Sequence, residues 1–286
     1  MKVPSLHILK MTRNKWIWVV LILLAFVAMR TWQDAWAWTD LGIVALCFAC
    51  ELMDSSLGMG YGTTLIPILL AMGYQPLELV PTILFSELLS GFSASYFHHH
   101  SGNVDFSVRT RESRIAMLLA LGSVVGVVIG VNLAIEMPAH ILKLIIGIII
   151  TTAGIIIWIF HQRTFAYRTW KFFGLAMVAS FNKAMSGGGY GPLMTSGQIL
   201  SGVGSRASVA ITSFAEGFTC LVGVILFLGK GQQFQMNLMV PVLTGALLSV
   251  PFSTEIVKVT HERLLRRIIA VLTVVMGLFT ILKVLF

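Results

Sequence analysis

Long apolar runs constrain this chain more than any other feature. Trp16–Arg30, Ile115–Val131, Ile141–Phe160 and Leu264–Phe286 approach or reach the roughly 20 residues that carry a helix across a bilayer. Lipid offers no partner to a free amide or carbonyl, so a run of this kind spans as helix. Only 11% of the 286 residues are charged and 57% are hydrophobic, with a mean hydropathy of +0.88. A soluble domain carries about 25% charged residues. The chain reads as an all-α polytopic membrane protein.

The formal net charge of +8 does not point to nucleic acid. Lysines and arginines lie in short loops between apolar runs, where topology control puts them, and no contiguous basic face is available. Cys47 and Cys50 form a C-x-x-C with no second Cys or His pair to complete a metal site, and Cys220 lies in an apolar run. All three read as buried small apolar residues, with no metal and no cofactor. The basic start, apolar core and Ala35-Trp36-Ala37 mimic a signal peptide, but the run is long and its basic lead extended. A retained first helix near Lys15–Thr31 is expected.

Sliding the sequence against itself by 129 positions exposes a repeat. Gly58-Met59-Gly60-Tyr61-Gly62 falls on Gly187-Gly188-Gly189-Tyr190-Gly191. In the same ungapped register Asp54 falls on Lys183, Gly73 on Gly202, Phe85 on Phe214 and Glu87 on Glu216. Each copy opens on an element broken by glycines, near Leu41–Met72 and Phe173–Ser201. Three plainer spans follow, near Glu78–His98, Arg114–Leu133 and Ile141–Phe160, then near Ala207–Leu228, Asn237–Val257 and Leu264–Phe286. The divisions are 1–40 for the N-terminal tail and first helix, 41–165 for the first repeat and 166–286 for the second, within one membrane domain.

Positive charge arbitrates the path. If each broken element dips in and returns to its own side, most of the 20 basic residues face the cytoplasm, including Lys2, Lys10, Arg13, Lys15, Arg109, Arg111, Arg114, Arg163, Arg168 and Lys171. If the broken elements crossed, the last six of these would lie outside. The re-entrant arrangement gives each copy three crossings, an odd number, so the second copy is inserted upside down. Inverted repeats with broken helices meeting near the midplane are a recurring transporter plan. The N-terminus is expected in the cytoplasm.

Non-helical backbone at membrane depth is tolerated only where protein or a polar cavity surrounds it. Freed amides at the start of a half-helix form a positive-ended cradle for an anion. The candidate binding residues are therefore Ser55, Ser56, Gly58, Gly60, Gly62 and Thr63 in the first break, with Thr64 beside them. Lys183, Ser186, Gly187, Gly188, Gly189 and Gly191 belong to the second, with Thr195. Close helix packing is the competing explanation of the glycines, and it is the expected role of Gly122, Gly126 and Gly130. Glu87 and Glu216 are candidates for proton coupling, for pairing with Lys183 or for a structural role, and Asp54 joins them. Glu51 and Asp54, one helical turn apart, rank lower, because pairing or a position near the membrane surface would account for both. His98-His99-His100, at a span end, reads as a solvated loop.

Four stretches then resemble one family: Asp54–Pro67, PTILFSELLSG at Pro81–Gly91, HHHSGNVD at His98–Asp105 and SGGGYGP at Ser186–Pro192. Together they are similar to the TauE/SafE family of membrane proteins, over roughly Leu41 to Phe286. The resemblance implies a permease for small anions, often sulfur oxyanions such as sulfite or organosulfonates, frequently an exporter. It implies a cell (inner) membrane location, no catalysis, and the bilayer and a small anion as partners, with a homo-oligomer left open. Two other classes stay open on the residues alone. An anion channel could be lined by the same breaks. An intramembrane enzyme acting on lipid-linked phosphates would need arginines beside a nucleophile, and neither break holds one.

Overall fold

The computed structural model describes residues 13–32, 38–160 and 169–257, with isolated helical positions between 271 and 282. Among these, the ordered elements are helices: α1 (Arg13–Trp32), α2 (Trp38–Leu57), α3 (Tyr61–Ala71), α4 (Pro76–His100), α5 (Arg111–Glu136), α6 (Ala139–Phe160), α7 (Thr169–Ser186), α8 (Tyr190–Leu200), α9 (Ser205–Gly229) and α10 (Met236–Ile256). The span expected near Leu264–Phe286 lies largely outside the described residues.

Four of the helices, α4, α5, α9 and α10, are long and apolar enough to cross a membrane. Shorter apolar segments lie in α1 (Asn14–Met29), α3 and α6 (Ala139–Ile149). The described residues are all-helical, and their apolar spans are those of an integral membrane protein.

The helix bounds carry the 129-residue register. Shifting α3 and α4 by 129 turns 61–71 into 190–200 and 76–100 into 205–229, the bounds of α8 and α9. The shifted end of α2, Leu57, is Ser186, the end of α7. Gly58 and Gly187 share a φ of 69°, and the amide of each donates four residues back, to the carbonyls of Asp54 and Lys183. A β-carbon is strained at that angle, so the break needs glycine there.

Contacts fix the directions of the helices. Leu84 meets Gly223, and Phe92 meets Phe214, so α4 and α9 run antiparallel. On α5, Gly122 packs on Phe173 and Ala176, Gly126 on Met177 and Ser180, and Gly130 on Phe181 and Ala184, so α5 and α7 run parallel. This is the close packing expected of that glycine stripe. Gly245 packs on Val44 and Cys47, and Phe252 meets Phe48 at 5.8 Å, so α2 runs with α10.

Lys15 ties the start of α1 to the ends of α4 and α10 through Ser101 (3.1 Å), Thr254 (2.9 Å) and Glu255 (2.6 Å). That end also carries Arg109, Arg111 and Arg114, and is called the basic end below. At the opposite end the Gln235 amide donates to Thr82 (2.8 Å), joining the starts of α10 and α4.

Candidate functional site

Each break is a three-residue interruption, Gly58–Gly60 and Gly187–Gly189, and the two interruptions lie directly on each other. A β-carbon on Gly62 would strike the carbonyl of Gly187, and one on Gly191 would strike the carbonyl of Gly58. The contact is reciprocal under the register, because 58 maps to 187 and 62 to 191. One on Gly188 would come within 2.7 Å of the Gly62 and Thr63 backbone. Thr195 packs on Gly58 and, at the corresponding place, Ile66 packs on Gly187. Backbone therefore meets backbone at the centre of the protein, and only glycine permits the approach.

The expectation of an open amide cradle needs refinement. The Asp54 carboxylate accepts from the Tyr61 amide at 3.4 Å, so the protein's own anion caps the first half-helix, α3. At the second half-helix, α8, the Gly58 carbonyl lies over Gly191 and accepts from the Thr195 hydroxyl at 2.8 Å. The expected hydroxyl donors divide in the same way. Ser55 donates to Glu51 (2.5 Å), Ser56 to the Met53 carbonyl (3.3 Å) and Ser186 to the Asn182 carbonyl (2.7 Å). Thr63 and Thr64 keep buried hydroxyls with no hydrogen-bond partner among the described residues.

Lys183 is the positive charge of the centre, 1% exposed. It forms ion pairs with Glu216 (2.7 Å) and with Glu87. Both glutamates are buried, and one comes from each repeat-related helix, α4 and α9. Asp54 lies within electrostatic reach of Lys183 and Glu216, and Glu51 within reach of Asp54, Glu87 and Glu216. Buried ions at this depth are expensive unless paired. Here three acids, Asp54, Glu87 and Glu216, lie about one ammonium, and a fourth, Glu51, lies beside those acids. Among the described residues, one oxygen each of Glu51 and Glu87 has no hydrogen-bond partner, and neither has the hydroxyl of Ser90.

Sequence reasoning ranked Glu51 low, yet it is 1% exposed and belongs to this cluster. Its signal was its spacing: Cys47, Glu51 and Asp54 fall on one helical face. His98 is corrected too. It does not lie in a solvated loop; it is fully buried, with Nε2 bonded to the Ser55 carbonyl at 2.9 Å. The row Glu87, Gly91, Ala94, His98 would have shown which of the three histidines turns inward. Tyr61 and Tyr190 are buried packing residues whose hydroxyls meet Ser86 (2.9 Å) and Ser123 (3.1 Å). Cys47, Cys50 and Cys220 are free and buried.

Among the described residues, no group of three or more His, Cys, Asp or Glu has the geometry to hold a metal ion. A cavity of about 300 Å³ lies away from the breaks, near the basic end, between Phe92, Tyr96, His99, Phe106, Met117 and Phe214.

Residues 43–280 match the model of the sulfite exporter TauE/SafE family. The chain belongs to that family. A relative, the probable membrane transporter protein YtnM of Bacillus subtilis (strain 168), is 24% identical over 228 residues, covering 75% of this chain and 73% of the relative. No solved structure matches the chain. Family and relative together make this a membrane transporter protein.

Proposed function

We propose that this TauE/SafE protein is a secondary transporter for a small anion, a sulfur oxyanion or organosulfonate such as sulfite. In this reading the site forms where the two breaks separate, and it opens alternately to each side of the cell (inner) membrane. The observation that carries the reading is the convergence of Asp54, Lys183, Glu87 and Glu216. These are two register-related pairs of charges, gathered where the breaks touch.

The helix directions support repeats of inverted topology, 41–165 and 166–286. The first break runs towards the basic end in α2, beside α10, and returns in α3 to the start of α4. The second leaves the basic end in α7, beside α5, and returns in α8 to the start of α9. Each is then re-entrant, from opposite faces. The positive-inside rule puts the basic end, and the N-terminus, in the cytoplasm.

Charge sets the mechanism. Lys183 already pairs with two glutamates, so an arriving anion must compete with them for the ammonium. It enters together with a proton. The proton neutralises Glu87 or Glu216, freeing one position on the ammonium, and the anion takes that position with the hydroxyls of Thr63 and Thr64. The membrane potential acts on a lone monoanion with about 2.3 kcal/mol per 100 mV, driving it outward from a negative interior. A monoanion carried with one proton feels none of that force, and the pH gradient sets its direction instead.

Thermal-shift screening of the purified protein against sulfite, sulfonates, thiosulfate, phosphate and carboxylates tests the substrate class. Stabilisation by sulfur oxyanions, lost in Lys183→Ala, is the expected result. No response to any anion in the panel contradicts the reading.

A further inference from the structure

The motif His98–Asp105 has no part in the central site, yet its side chains join four segments of the protein. His98 is the last buried residue of α4. Its Nε2 meets the Ser55 carbonyl at 2.9 Å, near the tip of the first break. A carbonyl can only accept, so Nε2 carries the hydrogen and Nδ1 is left as an acceptor. Asn103 supplies the donor, its Nδ2 lying 3.0 Å from Nδ1, and the same amide donates to the Thr254 carbonyl of α10 at 3.1 Å. Gly102, at φ 73°, turns the chain so that Asn103 points back under α4, and the Asn103 amide closes that turn on the His98 carbonyl at 3.0 Å.

A second layer covers the first. The Thr254 hydroxyl accepts from Lys15, which also reaches Ser101 and Glu255. Lys15 is 3% exposed, and it belongs to α1, the helix outside the repeat. Among the described residues, no side-chain hydrogen bond joins the corresponding positions at the opposite end. Under the register His98 corresponds to Phe227, Ser55 to Ala184 and Asn103 to Gln232. Phe227 and Ala184 are both buried in the apolar core.

We infer that His98 and Asn103, backed by Lys15 of α1, are the gate lock of the basic end: they hold the tip of the first break against α4 and α10, and they part when the central site opens to that side. The inference rests on the alternating-access reading. The lock acts by position and touches no transported ion. Because the positions corresponding to His98 and Ser55 at the other end, Phe227 and Ala184, are apolar, the lock biases the resting protein towards closure at the basic end.

The test places a thiol at the tip. Ser56→Cys leaves both the Glu51–Ser55 bond and the His98–Ser55 bond intact, and the native cysteines are buried. A membrane-impermeant maleimide is applied from the basic side of oriented vesicles. Protection is expected with the lock intact. Labelling at least tenfold faster is expected when His98→Phe, the side chain of the equivalent position, is added. A smaller increase is expected with Lys15→Met. Free labelling with the lock intact, or equal protection in all three proteins, overturns the inference. Should His98→Phe fail to fold, Asn103→Leu and Lys15→Met are read in the same way. Anion flux measured on vesicles of the protein without Ser56→Cys separates the two ideas. Flux with unchanged labelling keeps the transporter and removes the lock. Changed labelling with no flux of any anion does the reverse.

Discussion

The two breaks share a backbone and differ in almost everything else. Both interruptions begin on a glycine at φ 69°, and both half-helices run for 11 residues. Their side chains part company at once. Asp54 answers Lys183, Glu51 answers Ser180, Ile66 answers Thr195 and Leu69 answers Gln198. The first break supplies acids and, through Thr63 and Thr64, unpartnered hydroxyls. The second supplies the ammonium and a polar network in which Gln198 donates to Thr212 at 2.8 Å and Thr212 to Thr195 at 2.9 Å, leaving the Thr195 hydrogen for the Gly58 carbonyl. Glycine geometry is what the crossing demands of both copies. The proposed site needs a different charge from each, so the side chains differ where the backbone does not.

Removing the charge unique to the second break has the largest expected effect. Lys183→Ala leaves Glu87 and Glu216 buried without a cation, a loss of about 3–5 kcal/mol when one partner of a buried pair is deleted. Chemical unfolding in detergent measures it, with transport abolished in parallel. Stability within about 1 kcal/mol of the parent would show that solvent reaches the pair, and that these charges are not held as described.

The shared backbone is tested next. Gly62→Ala drives a methyl into the Gly187 carbonyl, and overpacking of this kind costs about 1–3 kcal/mol. Gly42→Ala is the control: its methyl meets nothing within 4 Å, so the helical preference of alanine should stabilise by up to about 1 kcal/mol. Equal effects at the two positions would break the claim that the breaks cross in contact. Thr195→Val removes two hydrogen bonds of the second break, to Gly58 and Thr212, and is expected to cost about 1 kcal/mol per bond at most.

Asp54→Asn is the subtlest change. The amide oxygen still accepts from Tyr61, so stability should move by less than about 1 kcal/mol. In the proposed mechanism the site loses one of its acids, and the pH dependence of flux is expected to shift while maximal flux persists. An unaltered profile would assign Asp54 a capping role alone.

Much of this was legible in the sequence. The 129-residue register, read from glycines and two glutamates, matches the bounds of α8 and α9. Lys183 and Glu216 could be marked as candidates because an ion at membrane depth needs a reason. What was not legible depends on contacts between distant segments. Nothing local announces that the Gly58 carbonyl lies over Gly191, or that Asp54 reaches the amide of Tyr61 instead of leaving it to a guest. The central glycines thus answer both readings of the sequence: they break the helices, and they let the breaks touch. Lys15 offered no sign of burial either, since a basic residue before an apolar run looks like topology control until Ser101, Thr254 and Glu255 are brought around it.

Proton movement coupled to anion movement is the most direct test of the central claim. A sulfonate that stays ionised at every working pH is imposed as a gradient across proteoliposomes carrying an internal pH dye, with no other permeant ion. The account predicts that protons follow the sulfonate into the lumen, one or more per anion, and that Lys183→Ala abolishes both fluxes. Sulfonate entering with no change of internal pH, at a rate indifferent to Lys183→Ala, would contradict it.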